Sequence, residues 1–120
     1  MNKYDVAIMG GGVAGLTAAA CLAKSGVKNI LCEQANRIGG LFNSIWHKGY
    51  LCDGHISEWG NVPEKSYDYG SLLCIPKSVS TSIPNLFVTG QWVFPRGGSP
   101  IAVLTGRLAA DRALKQTRME

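Results

Sequence analysis

The chain has 120 residues, 46% apolar and 8% aromatic, with a formal charge of +4. That length suits one globular domain, and no stretch approaches the ~20 apolar residues of a membrane span. Arg96, Arg107, Arg112, Lys115 and Arg118 crowd toward the C-terminus without interleaved aromatics, so they read as a solvated helix face and no nucleic-acid partner is expected.

Residues 4–9, YDVAIM, predict a short buried parallel strand. Gly10, Gly12 and Gly15 follow as G-x-G-x-x-G, and the alanine- and leucine-rich run from Val13 to Lys24 predicts a helix ended near Gly26. NILCE, 29–33, predicts a second strand. In such a unit Gly10 allows the tight turn, Gly12 lets a pyrophosphate approach the backbone, and Gly15 lets helix and strand pack closely. The first-turn amides of Val13, Ala14 and Gly15, with the helix dipole, are expected to hold the phosphates. Glu33 lies 18 residues past Gly15, where a carboxylate accepts hydrogen bonds from a ribose diol. An acid there fits NAD or FAD and opposes the additional phosphate of NADP.

The stretch EQANRIGGLFNS places Gly39 and Gly40 six and seven residues after Glu33. It resembles the acid-then-paired-glycine signature of FAD-dependent amine oxidases and carotenoid (phytoene) desaturases. The resemblance implies that Glu33, with Gln34 beside it, lies at the adenosine ribose and that Gly39 and Gly40 pass beside the cofactor. These families carry arginine directly after the paired glycines, whereas this chain has Leu41. Arg37 either supplies that charge or is an ordinary surface arginine.

The patch GYLCDGHISEWG, 49–60, resembles the same families' GY-x-x-DG turn through Gly49, Tyr50, Asp53 and Gly54. Asp53 reads as a turn residue rather than a catalyst, and His47 and His55 have no recognisable catalytic partner. Residues 61–84, rich in Pro, Ser and Lys, read as a short connector containing one apolar run, SLLCI. The families' substrate domain has no counterpart there.

The closing stretch, residues 83–115, predicts a strand, a glycine-rich loop and a helix. It resembles the flavin-binding end of carotenoid desaturases and isomerases through Gly90, Gln91, Pro95, Gly97, Gly98, Pro100, Gly106, Arg107, Ala109 and Ala110. Gln91 is then expected at the ribityl hydroxyls. Ser99 is expected as N-cap with Pro100 in the first turn, and the helix N-terminus, Gly98 to Ile101, at the flavin's pyrimidine edge.

Together these features predict an α/β fold: one Rossmann-like domain over 1–120, made of a dinucleotide-binding part (1–60), the connector (61–84) and a flavin-binding strand and helix (85–120), with flanking helices and a parallel sheet in the order second–first–last. Leu41, Phe42, Ile45, Trp46 and Tyr50 are expected to cover the sheet's second face, unless a protein partner or self-association does so. Cys21, Cys32, Cys52 and Cys74, in no metal or C-x-x-C spacing, predict free thiols and a reducing compartment. The glycines at 10–12 break any signal-peptide core, so a cytoplasmic location is expected. Three readings of function follow: a minimal FAD-binding flavoprotein with oxidoreductase potential, a non-catalytic FAD module or truncated subunit needing a partner, and an NAD-binding domain. No catalytic residue is assigned, and no metal is expected.

Overall fold

The computed structural model describes residues 3–52, 78–91, 93 and 98–118. Asp53, His55, Cys74, the SLLCI run, Pro95, Arg96 and Gly97 lie outside them. β1 (Val6–Met9) leads through the Gly10–Gly12 turn into α1 (Val13–Lys24) and back to β2 (Asn29–Cys32). The two strands pair in parallel, from Val6 opposite Asn29 to Met9 opposite Cys32. Local chemistry fixes the return from α1 to β2. After α1, Gly26 takes a left-handed φ of 80°. Its N–H donates to Ala23 C=O at 3.0 Å, and Val27 N–H donates to Leu22 C=O at 3.1 Å. This is the paired cap that ends a helix at glycine. Before β2, the Asp5 carboxylate accepts from Lys28 N–H at 3.0 Å, holding the two strand entrances together.

α2 (Ser99–Thr117) packs on α1 through small residues. Ala14, Gly15, Ala18 and Leu22 of α1 are buried, as are Thr105, Gly106, Ala109, Ala110 and Ala113 of α2. Alternation along β1 turns Val6 and Ile8 toward Ala18, Leu22, Ala110 and Ala113. The helices thus stack on one sheet face. On the other, Met9 is 81% exposed and Ile30 is exposed as well.

The expected strand order second–first–last is not confirmed. Among the described residues the parallel sheet has two strands, and the 85–90 segment is not hydrogen-bonded to β1. Asn85 turns the chain at a φ of 62°, and Leu86 N–H donates to Ile83 C=O at 3.3 Å. The segment then engages Val79–Ser80 instead: Val88 N–H donates to Val79 C=O at 2.9 Å, and Ser80 forms a one-residue antiparallel bridge with Phe87. A groove of about 550 Å³ separates residues 5–9 from residues 85–89.

The expected cover of the open sheet face is corrected. β3 (Ile45–His47) and β4 (Tyr50–Cys52) form an antiparallel hairpin around Lys48 and Gly49, both at positive φ. Such a turn suits a tight hairpin. The two strands satisfy each other's backbone and leave every side chain outward, with Trp46 74% and Tyr50 76% exposed. Leu41 and Phe42, in the short 3₁₀ turn Gly40–Phe42, are exposed as well.

Candidate functional site

Three stretches of chain converge where β1 and β2 end. Gly10 N–H donates to Cys32 C=O at 2.7 Å, extending the strand pairing by one bond. Gly11 N–H donates to a Glu33 carboxylate oxygen, and Gly11 C=O accepts from Gly39 N–H at 2.7 Å. Gly12 and Gly39 form a parallel bridge. The sequence-predicted Gly10, Gly12, Glu33, Gly39 and Gly40 are therefore brought together.

Side chains are excluded at several of these positions. A Cβ on Gly15 would stand 2.0 Å from Gly10 C=O, and one on Gly40 would stand 3.1 Å from Gly12 Cα. A Cβ on Gly12 would meet nothing within 4 Å, so the space over that residue is open. α1 starts there without a side-chain cap and with no acid in its first turn. The first-turn amides of Val13, Ala14 and Gly15 come before the helix's own carbonyls can serve as acceptors.

Glu33 does more locally than the ribose role expected of it. Its other oxygen accepts from Ala35 N–H at 2.9 Å, so the carboxylate clamps the glycine turn and its own loop together. The Ala35 and Gly11 N–H groups hold its carboxyl below the usual carboxylate range; partial burial opposes them, and Gln34 N–H adds to them. Gln34, Arg37 and Leu41 are exposed close by in sequence.

The second half of the site is built on α2. Gly98 precedes the helix at a φ of 106° and occupies its N-cap position. The expected Ser99 cap is therefore corrected: Ser99 is already helical, Pro100 follows in the first turn, and no side chain caps the end. Ile101 is half-buried. Gly90 and Gln91 end the 85–91 segment, and Gly90 is held in place by Thr105. This residue is fully buried, at 0% exposure. Its hydroxyl accepts from Gly90 N–H at 3.0 Å, and its proton faces Gly90 C=O at 3.2 Å and Ala102 C=O at 3.1 Å. The next residue, Gly106, lies so close to α1 that a Cβ would stand 2.3 Å from Ala14 C=O.

Sequence reasoning missed Gly11 and Thr105 and gave Gly106 no physical role. Gly11 was readable only as the middle of three consecutive glycines. The signal for Gly106 was a small residue in an otherwise good helix.

A family model described as an NAD(P)-binding Rossmann-like domain matches residues 8–72. The chain belongs to that family. The Rossmann-like domain is 40% identical over 66 residues to an inactive all-trans-retinol 13,14-reductase of Danio rerio, covering 55% of this chain and 11% of that protein. Against an FAD-dependent monooxygenase of Penicillium thymicola it is 31% identical over 108 residues, or 85% of this chain and 22% of the relative. A flavin-containing amine oxidase of Danio rerio is 40% identical over 47 residues, covering 39% and 9% respectively. A solved structure of putrescine oxidase is 38% identical with a TM-score of 0.39, over 40% of this chain and 11% of that one. The domain thus spans between 9% and 22% of the length of these curated relatives. Among the described residues no helix is long and apolar enough to cross a membrane, and no group of His, Cys, Asp and Glu is placed to hold a metal.

Proposed function

We propose that residues 1–120 form one FAD-binding domain and that it serves as the cofactor shell of an oxidoreductase. The observation that carries this reading is the junction of Gly11, Glu33 and Gly39, which gathers three separate stretches around an open glycine turn. Glu33, held ionised by its N–H partners, would accept from the adenosine ribose and repel a 2′-phosphate. The open space over Gly12 and the first-turn amides of Val13, Ala14 and Gly15 fit a pyrophosphate. Gly39 and Gly40 would pass beside it, with Gln34, Arg37 and Leu41 around the adenosine end. At the other end Gly90 and Gln91 would meet the ribityl chain. Gly98, Ser99, Pro100 and Ile101 would bring the positive end of α2 to the flavin's pyrimidine edge.

When bound, FAD supplies the redox chemistry, taking a hydride or electrons from a substrate. The chain's own part is to bind, orient and electrostatically bias it. Relatives named as flavin-dependent support FAD over NAD. The finer reading, a shell of carotenoid desaturase type, rests on the pattern Gly90, Gln91, Gly106, Arg107, Ala109 and Ala110.

The exposed Met9, Trp46 and Tyr50 favour a second reading, a module completed by a protein partner or by self-association. Parallel titrations with FAD and NAD, with the visible spectrum of the purified protein, test the first reading. A yellow preparation releasing FAD, and preference for FAD over NAD, are expected; preference for NAD would overturn it. Light scattering on the eluting protein addresses the second, for which a clean monomer counts against self-association. Reduced FAD bound to residues 1–120 is expected to reoxidise rapidly in air; slow reoxidation would count against an open flavin site.

A further inference from the structure

We propose that Thr105 is a positioning residue that, together with Gly106, sets the spacing between the two ends of the dinucleotide site. The proposal rests on the FAD reading above. Two consecutive residues of one helix turn carry it. Thr105 grips both backbone groups of Gly90, and Gly106 brings the α2 backbone against Ala14, in the first turn of α1. The turn expected at the pyrophosphate and the turn expected at the ribityl chain are thereby joined through about one residue's length of helix. Gly90 C=O also accepts from Val93 N–H at 3.3 Å, so the Thr105 grip holds the start of the following loop as well. Thr105 lies four residues past Ile101, about one helical turn further along α2 and on the same face. The same hydroxyl therefore fixes Gly90 relative to the helix end that would face the flavin.

The hydroxyl's chemistry explains why threonine stands there. Gly90 offers a donor and an acceptor side by side, and a hydroxyl is the smallest side-chain group that answers both. Valine has nearly the same shape and answers neither, leaving Gly90 N–H without its partner. Serine answers both. A threonine serving packing alone would tolerate valine better than serine, so the two substitutions separate the roles.

The experiment compares FAD with ADP, which carries only the adenosine and pyrophosphate half. Wild type, Thr105→Val and Thr105→Ser are titrated with each. In Thr105→Val, FAD is expected to bind about tenfold more weakly, while ADP affinity stays within about twofold and the bound flavin's visible circular dichroism changes. Thr105→Ser is expected to restore FAD affinity to within about twofold of wild type. Equal FAD binding by wild type and a folded Thr105→Val overturns the proposal, as does a parallel loss of ADP and FAD. If Thr105→Val does not fold, amide exchange in wild type decides. The Gly90 N–H is expected to be protected without ligand and further protected by FAD but not by ADP. Exchange at the rate of an open loop overturns the proposal. Wild type that binds ADP but not FAD defeats the FAD reading itself, an outcome distinct from failure of Thr105 alone.

Discussion

The two ends of the proposed site are held by different kinds of interaction. At the N-terminal end, backbone meets backbone: Gly10 on Cys32, Gly11 on Gly39, with Glu33 as the one side chain closing the ring. At the C-terminal end a side chain does the holding, the buried hydroxyl of Thr105 on Gly90. The first arrangement depends on side chains being absent, the second on one being present. The first is accordingly sensitive to an atom added at Gly15 or Gly40, and the second to the loss of a single oxygen.

The largest effect is expected from Gly15→Ala. The new Cβ would fall 2.0 Å from a backbone carbonyl that has no flexible end to give way. A loss of about 3 kcal/mol in a urea melt is expected, with nucleotide binding lost as well. Gly106→Ala comes next, at about 2 kcal/mol, because α2 can slide from Ala14 more easily than a tight turn can open. An equal or larger loss for Gly106→Ala would reverse the contrast between the two ends.

Glu33→Gln sharpens the comparison through pH. The folded-state pKa of Glu33 is lowered, so its contribution is complete above the unfolded value near 4.5 and disappears as pH falls through the folded value. Wild type is expected to lose stability below about pH 4.5, while Glu33→Gln shows a flatter curve in that window on thermal melts. The variant should also discriminate less between NADH and NADPH, read by competition titration. The smallest effect is expected from Leu41→Arg. This exposed position would gain a positive charge beside Gly40, strengthening FAD binding about twofold to fivefold by calorimetry and less at high salt.

The N-terminal end was legible in the sequence because its signals are local. An apolar run, spaced glycines, an alanine-rich helix and an acid at the next strand's end lie within about thirty residues, and each constrains its neighbours. Residues 85–90 misled because LFV has strand character whichever edge it meets. What decides is the turn at Asn85 and the pull of Val79 and Thr105, which depend on tertiary contact. Thr105 and Gly106 were hidden for the same reason. A threonine and a glycine in a helix are unremarkable until the helix is laid against α1. The exposed hairpin was unforeseen because apolar composition at Ile45, Trp46 and Tyr50 signals burial without naming a partner surface.

The meeting of Gly106 with Ala14 also bears on the order in which the chain folds. β1, α1 and β2 are consecutive and close on one another through a single helical crossover, so their contacts form quickly and early. The contact between Ala14 and Gly106 joins residues roughly ninety positions apart, and its loop must close before the contact returns anything. During synthesis the glycine turn and Glu33 emerge well before α2 exists. Docking of α2 is therefore expected to follow closure of the β1–α1–β2 unit in refolding, which stopped-flow measurements on wild type and Gly106→Ala would check.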